Sequence, residues 1–248
     1  MAELIGDRLR RRVREQGSAP LITYYDVDSG ARTELSAVTF GNWTDKTANL
    51  AVDELMLDQG DRVELAVAVS HPGHWVTLAW ALACWQIGVT VTVGRPAGAR
   101  VVVCGPDWRD HQSSVELVAC SLHPLGLGFA QTLPPGVLDY ALEVRGQPDA
   151  YAPVRQSGLT PAWHDAERVL TQADLVGAGP ASVQRRLVRP GDPWDTVSAA
   201  LVGPLLDGGS SVVVAGSADP GRLARIRADE RVSSTSGAVG TVGPPRPS

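Results

Sequence analysis

The sequence predicts an α/β fold in which a layered sheet is flanked by helices on both faces. Apolar, β-branched runs at residues 63–69, 89–93 and 101–103 alternate with segments of helical length, a pattern typical of α/β proteins. These runs lack the polar–apolar alternation of half-exposed strands, which indicates burial on both faces. The chain has 248 residues, of which 44% are apolar and 20% charged, so it can bury the core of one sizeable domain.

Turn and capping residues predict the order of the remaining elements. Two strand-like runs within residues 21–35 are separated by turn formers, which predicts a hairpin. Thr171 can cap a helix that begins at Gln172, and Pro220 suits the first turn of the last helix. Further helices are predicted over residues 2–15, 39–56 and 193–206.

The two ends of the domain are predicted from composition. Residues 1–232 carry the periodic apolar segments and are expected to form the domain. The Gly, Ser and Pro residues of 233–248 offer little to bury, which predicts a disordered tail. Residues 122–154 are rich in Pro and Gly and receive no assignment.

The apolar segment at residues 75–93 is nearly long enough to span a membrane. Its first half is rich in Ala and Leu, whereas residues 89–93 are β-branched. A buried helix, a stop at Gly88 and a strand explain this change of character, which has no place in a membrane span. We therefore predict no membrane association.

Composition also excludes several classes of function. A net charge of −5 argues against a nucleic-acid-binding protein, and the arginines of residues 8–14 are expected to form a solvated helix face. Cys84, Cys104 and Cys120 are too widely spaced for a zinc site or a disulfide framework, so no metal is predicted. The N-terminus has no apolar signal segment, and a cytoplasmic protein is expected.

Several short patterns favour structural roles. His71 and His74 flank a helix start, where capping is expected, and the glycines of residues 126–128 predict a turn. Ser157, His164 and Asp165 contain the residue types of a nucleophile–base triad, but their spacing does not place them within hydrogen-bond reach.

Five motifs follow one another across most of residues 20–232. They are Gly-Asp-Arg-Val at 60–63, Ala-Cys-Trp-Gln-Ile-Gly-Val at 83–89, Leu-Thr-Gln-Ala-Asp-Leu at 170–175, Asp-Gly-Gly-Ser at 207–210, and the segment 219–232. In this order they resemble the N-terminal part of adenylate-forming enzymes, which include acyl-CoA synthetases and luciferases. They also resemble a short actinobacterial family related to that AMP-binding region. The resemblance implies the first N-terminal α/β subdomain of these enzymes.

The resemblance implies a nucleotide site on a Ser/Thr/Gly loop that ends in Pro-Lys-Gly and wraps the ATP phosphates. We place its counterpart at residues 156–164, where Ser157, Gly158 and Thr160 remain but the second glycine and the lysine do not. With Thr171 they would form a vestigial nucleotide or acyl site, and ATP or AMP would be its ligand. The single lysine, Lys46, is expected to be a solvated helix residue.

The family's catalytic lysine and its adenine and ribose motifs do not occur in this sequence. We therefore interpret the chain as a truncated, non-catalytic relative that serves in interaction or regulation. Two alternatives remain open: a module that binds an acyl or adenine-containing ligand, and one part of a split ligase completed by a separate chain. A protein partner, or self-association through the surface left by truncation, is expected.

Overall fold

A computed structural model describes residues 3–94, 98–111, 115–177 and 183–236. Its strands are β1 (Pro20–Asp26), β2 (Ala31–Ser36), β3 (Arg62–Leu65), β4 (Thr90–Thr92), β5 (Val101–Cys104), β6 (Glu116–Ala119), β7 (Val137–Asp139), β8 (Pro161–His164), β9 (Val169–Thr171), β10 (Arg185–Val188), β11 (Ser210–Ala215) and β12 (Ser234–Ser236).

The helices alternate with these strands along the chain. They are α1 (Ile5–Gln16), α2 (Ala37–Asn49), α3 (Val67–Ser70), α4 (Trp75–Ile87), α5 (Tyr140–Glu143), α6 (Gln172–Leu175), α7 (Pro193–Val197), α8 (Gly203–Asp207) and α9 (Pro220–Asp229). Wider π-type turns extend α2 over Leu50–Glu54 and join α7 to α8 over Ser198–Val202, so residues 193–207 form one continuous helical segment.

The strands belong to two sheets. The first has the order β12-β10-β11-β1-β2, and only its hairpin strand β2 is antiparallel to its neighbour. The second has the order β7-β6-β5-β3-β4-β8-β9, and only β9 is antiparallel to its neighbour. Since parallel strands point the same way, their carboxyl ends meet at one edge of each sheet, where open α/β sheets bind their ligands.

Helix α4 lies at the centre of the molecule. All of its residues are buried, because it packs against α1 and α2 as well as strands β3 and β4 of the second sheet. A helix that is apolar on every side is stable only when it is enclosed in this way. The first sheet packs one face, through Val213, against the main core. Helix α9 covers its other face, where Ile226 packs against Val212 and Val214. The predicted α/β fold is thereby confirmed, with its strands divided between two sheets.

Several local predictions are also confirmed. The hairpin β1–β2 is antiparallel, Thr171 caps α6, and Pro220 occupies the first turn of α9. Helix α4 ends at Gly88, whose φ of +86° suits the left-handed conformation that glycine adopts without strain, and β4 follows. In the described part of the chain, no helix is both long and apolar enough to cross a membrane.

Two predictions are wrong at their boundaries. The strand predicted over residues 63–69 ends at Leu65, because the chain turns into α3 with the His71 amide donating to the carbonyl of Val67. Residues 63–68, which belong to both pieces and to the turn between them, are all buried, so hydrophobicity alone could not separate the pieces. The tail predicted from residue 233 begins too early, because Ser234–Ser236 pair with β10 as strand β12. Residues 237–248 lie outside the described residues.

Candidate functional site

The four residues of the predicted nucleotide site lie around the first turn of α6. Ser157 begins a tight turn in which its carbonyl accepts from the amide of Thr160 at 3.1 Å. The Ser157 hydroxyl accepts from the amide of Leu159, and a Cβ added to Gly158 would contact the side chain of Ala173 at 3.4 Å. Thr171 is the N-cap of α6 and exchanges hydrogen bonds with Asp174.

The backbone amides of this turn are already paired within the chain. The Gln172 amide donates to the carbonyl of Thr160 at 2.9 Å, and the Ala173 amide donates to the carbonyl of Gly158 at 2.8 Å. The Asp174 amide donates to the Thr171 hydroxyl. A phosphate loop binds its anion through free amides at a helix start. Here the loop carbonyls and the capping hydroxyl accept from the amides that would otherwise bind an anion. The Asp174 carboxylate adds negative charge.

The turn that joins β8 to β9, residues 165–168, is held together by Asp165. Its carboxylate accepts from the indole of Trp163 at 2.7 Å, from the amides of Glu167 and Arg168 at 2.8 Å, and from the Arg168 guanidinium at 3.0 Å. Burial alone would raise the pKa of Asp165, but these hydrogen bonds outweigh it and lower the pKa below its usual value.

This β8–β9 turn places one cation among four carboxylates. Arg168 lies 3.0 Å from Asp165, 3.3 Å from Glu167, 3.4 Å from Asp192 and 3.6 Å from Asp195. The excess negative charge stands at the carboxyl end of β8, beside the start of α7. An anionic phosphate approaching this edge would be repelled.

The nucleophile–base triad does not form. The carboxylate of Asp165 is engaged by Trp163 and Arg168, and the hydroxyl of Ser157 accepts from the backbone of its own turn. Lys46 forms an ion pair with Asp149 at 2.9 Å and donates to backbone carbonyls of the neighbouring loop. These contacts fasten that loop to α2, so Lys46 lies on a helix as predicted, but its side chain is only 21% exposed and is not simply solvated.

A second site was not predicted from the sequence. A cavity of about 500 Å³ opens where the carboxyl ends of β1, β3, β5 and β6 meet, and its lining includes Tyr24, Asp26, His71 and His74. These residues come from distant parts of the chain, and only the capping of α4 by His74 was anticipated. The pairing order of the strands, which brings them together, cannot be read from residue types.

His74 is the most strongly perturbed group at this cavity. Its Nδ1 accepts from the amide of Val76 at 3.2 Å, and its ring lies edge-on to Tyr24 with centroids 4.7 Å apart. Burial, together with the nearby His71, lowers the pKa of His74 to about 3, although a hydrogen bond with the Leu122 backbone opposes the shift. Burial also raises the pKa of Tyr24 to about 12. Both groups are therefore neutral at pH 7.

Comparison with known proteins identifies the family. A Mycobacterium tuberculosis protein described as a TIGR03089 family protein is 34% identical over 242 residues, covering 93% of this chain and 96% of that protein. This chain belongs to the TIGR03089 family. No family model matches the chain.

Solved structures show that this TIGR03089 family member has the fold of an acyl-CoA synthetase N-terminal region. An acyl-CoA synthetase of Brucella canis superposes with a TM-score of 0.75 at 17% identity, covering 94% of this chain and 47% of that one. The N-terminal domain of FACL13 from Mycobacterium tuberculosis superposes with a TM-score of 0.68 at 15% identity, covering 94% and 62%. A fatty acyl CoA synthetase of the same organism gives 0.65 at 14% identity, covering 94% and 49%. The chain thus spans about half to three fifths of these structures, and the resemblance to adenylate-forming enzymes is confirmed at the level of fold.

Proposed function

We propose that this chain is a non-catalytic relative of the acyl-CoA synthetases, acting in the cytoplasm as an interaction or regulatory protein. One observation carries the proposal: the amides of Gln172, Ala173 and Asp174, beside the predicted nucleotide loop, donate to the chain itself. Freeing them would break three hydrogen bonds before any phosphate contact formed, and the single lysine is engaged with Asp149 instead.

The carboxylates at the carboxyl end of β8 also support a non-catalytic role. Asp192 and Asp195 belong to the start of α7, and with Asp165 and Glu167 they surround Arg168. Adenylate formation requires a triphosphate to be held and its developing charge to be stabilised by cations or amides. At this edge both kinds of group are already paired.

Acid-dependent ATP–pyrophosphate exchange is the direct test. We expect no exchange above background from the purified chain with a panel of short, long and aromatic carboxylic acids, while the Brucella canis acyl-CoA synthetase run alongside exchanges label. We also expect no saturable binding of ATP or AMP by calorimetry. Acid-dependent exchange by the purified chain would overturn the proposal, and its loss in the Thr171→Ala variant would assign the activity to this site.

The interaction role is proposed to be self-association through the outer edge of β9. Within the described residues no strand pairs with that edge, Val169 on β9 is 67% exposed, and Leu159 in the turn before β8 is 79% exposed. An unpaired strand edge flanked by apolar side chains is prone to pair with another copy. Light scattering after size exclusion should show association that increases with concentration and weakens in Val169→Lys. The matched control is Met56→Lys, which adds the same charge at another exposed apolar residue. A concentration-independent monomer would contradict this role.

The alternative of an acyl- or adenine-binding module at Ser157, Thr160 and Thr171 makes a different prediction. AMP or an acyl-adenylate analogue would then raise the unfolding temperature of the wild-type chain. The paired amides of the turn argue against it, and we expect no shift.

A further inference from the structure

The cavity between the two sheets lies at the place where this topology favours a ligand. The chain leaves β3 towards β4 on one side, whereas it leaves β5 towards β6 on the other. In open α/β sheets a crevice forms outside the carboxyl ends of two neighbouring strands whose connections diverge in this way. His71 follows β3 and Pro106 follows β5, and both line the cavity. None of the residues that line the cavity belongs to the predicted nucleotide loop or to α6.

Backbone strain and several hydrogen bonds characterise the loop that forms one wall of the cavity. Leu122 has a φ of +57°, an unusual conformation for a residue with a branched side chain, and strain of this kind often marks a functional site. The loop around it is fixed by several hydrogen bonds. The Ser121 hydroxyl donates to the carbonyl of Leu127, and the Leu125 amide donates to Nδ1 of His123. On the opposite wall the Thr33 hydroxyl donates to the carbonyl of Pro124 at 3.1 Å.

The charges around the cavity indicate the class of ligand. Asp26 is an anion at pH 7: burial would raise its pKa, but hydrogen bonds from Ser29 and the amide of Asp28 lower it. The residues that line the cavity include no lysine or arginine. Burial lowers the pKa of His71, so its ring is neutral at pH 7 and can accept a hydrogen bond.

The apolar part of the lining is aromatic and aliphatic. Tyr24 and His74 meet edge to face, and Leu122 and Pro124 contribute aliphatic surface. A volume of about 500 Å³ is within the usual range for small-molecule pockets. A partly buried carboxylate with no lysine or arginine among the residues that line its cavity, beside an aromatic wall, favours a ligand that carries a positive charge on an apolar body.

We propose that this cavity binds a small organic cation, whose primary ammonium group donates to Asp26 and His71 while its apolar part packs against Tyr24 and Leu122. Nucleotides, phosphates and carboxylates are disfavoured by the same carboxylate. The site is distinct from the one at α6, and its occupancy does not depend on whether the chain has catalytic activity.

Calorimetry with three probes of similar shape tests the proposal on the full chain. We expect saturable binding of 2-phenylethylamine, with 2-phenylethanol and phenylacetate binding at least about tenfold more weakly, because only the amine forms a charge-assisted hydrogen bond. Equal affinity for the alcohol, preference for the carboxylate, or no saturable binding of the amine would each overturn the proposal.

Two variants show whether the amine occupies this cavity. Asp26→Asn keeps a side-chain oxygen for the turn amides but removes the charge and one acceptor of the Ser29 hydroxyl, so the affinity for the amine should fall at least about tenfold while the chain still folds. Asp61→Asn is the control, because Asp61 likewise accepts from a turn amide, that of Asp58, and also pairs with Arg100 at 2.9 Å, but does not line the cavity. An affinity that falls equally in both variants, or in neither, would refute the assignment.

Discussion

The buried histidine at the start of α4 predicts a loss of stability in mildly acidic solution. His74 is 3% exposed, its pKa is lowered from the ordinary value of 6.5 to about 3, and burial is the main cause. In the folded chain the ring therefore stays neutral down to about pH 3. In the unfolded chain it takes up a proton below pH 6.5, so the unfolded state binds more protons within this window.

The sign and size of the effect follow from proton linkage. Stability rises with pH wherever the unfolded state binds more protons, so acidification from pH 6.5 towards pH 3 must destabilise the fold. Each pH unit in this window costs about 1.4 kcal/mol once the unfolded ring is fully protonated. Between pH 7 and pH 5, His74 alone should lower the free energy of unfolding by roughly 2 kcal/mol.

Urea unfolding of the wild type and of His74→Asn at pH 5, 6, 7 and 8 measures this contribution. Asparagine can still accept from the Val76 amide as an N-cap, but it does not titrate. The variant should be less stable at pH 7 and should lose roughly 2 kcal/mol less than the wild type between pH 7 and pH 5. The two profiles should run parallel between pH 7 and pH 8. Parallel profiles between pH 7 and pH 5 would refute the reasoning.

Three further substitutions test the packing and charge of the fold. Gly88→Ala should cost about 1–2 kcal/mol in a urea unfolding experiment, because φ is +86° and the new Cβ would meet Gln59 Cγ at 2.8 Å; an unchanged midpoint would contradict the geometry. Tyr140→Phe should cost about 1 kcal/mol by the same measurement, since it removes the buried 2.8 Å hydrogen bond with Thr47. Arg168→Gln should lower the thermal midpoint by about 2 °C at low salt and by less at high salt, because it leaves four carboxylates without their cation; a loss independent of salt would argue against this origin.

The parts of the fold that depend on local chemistry were predictable. Thr171 and Pro220 fix helix starts through their own side chains, and Gly88 fixes a helix end through its backbone freedom. Strands β6 and β7 were missed because they lie in or beside a segment rich in Pro and Gly, where residue type carries little periodic signal. Strand β12 was missed for another reason: its Ser-Thr-Ser sequence buries little, and it is held by backbone pairing with β10.

The candidate site was less predictable, because it depends on which backbone groups pair. The structure places Ser157, Gly158, Thr160 and Thr171 around one helix start, and their role as a ligand site stays a prediction. The sequence could not show that the carbonyls of Gly158 and Thr160 face the helix amides and occupy the place of an anion. Ser, Gly and Thr suit a phosphate-binding loop only when their backbone amides face the anion. When their carbonyls face the helix amides instead, the same residues form a closed turn.

The two ligand-facing regions of this fold carry the same kind of charge for different reasons. At the carboxyl end of β8, carboxylates gather around Arg168 and complete a closed turn. Between the sheets, Asp26 faces an open volume with no cation among the residues that line it. A phosphate is therefore disfavoured in both regions, while an organic cation finds space in only the second. The charges therefore favour an organic cation as ligand, and not the nucleotide that the fold suggests. We expect no competition between ATP and 2-phenylethylamine. Inhibition of amine binding by ATP at constant ionic strength would show that the two regions are not separate.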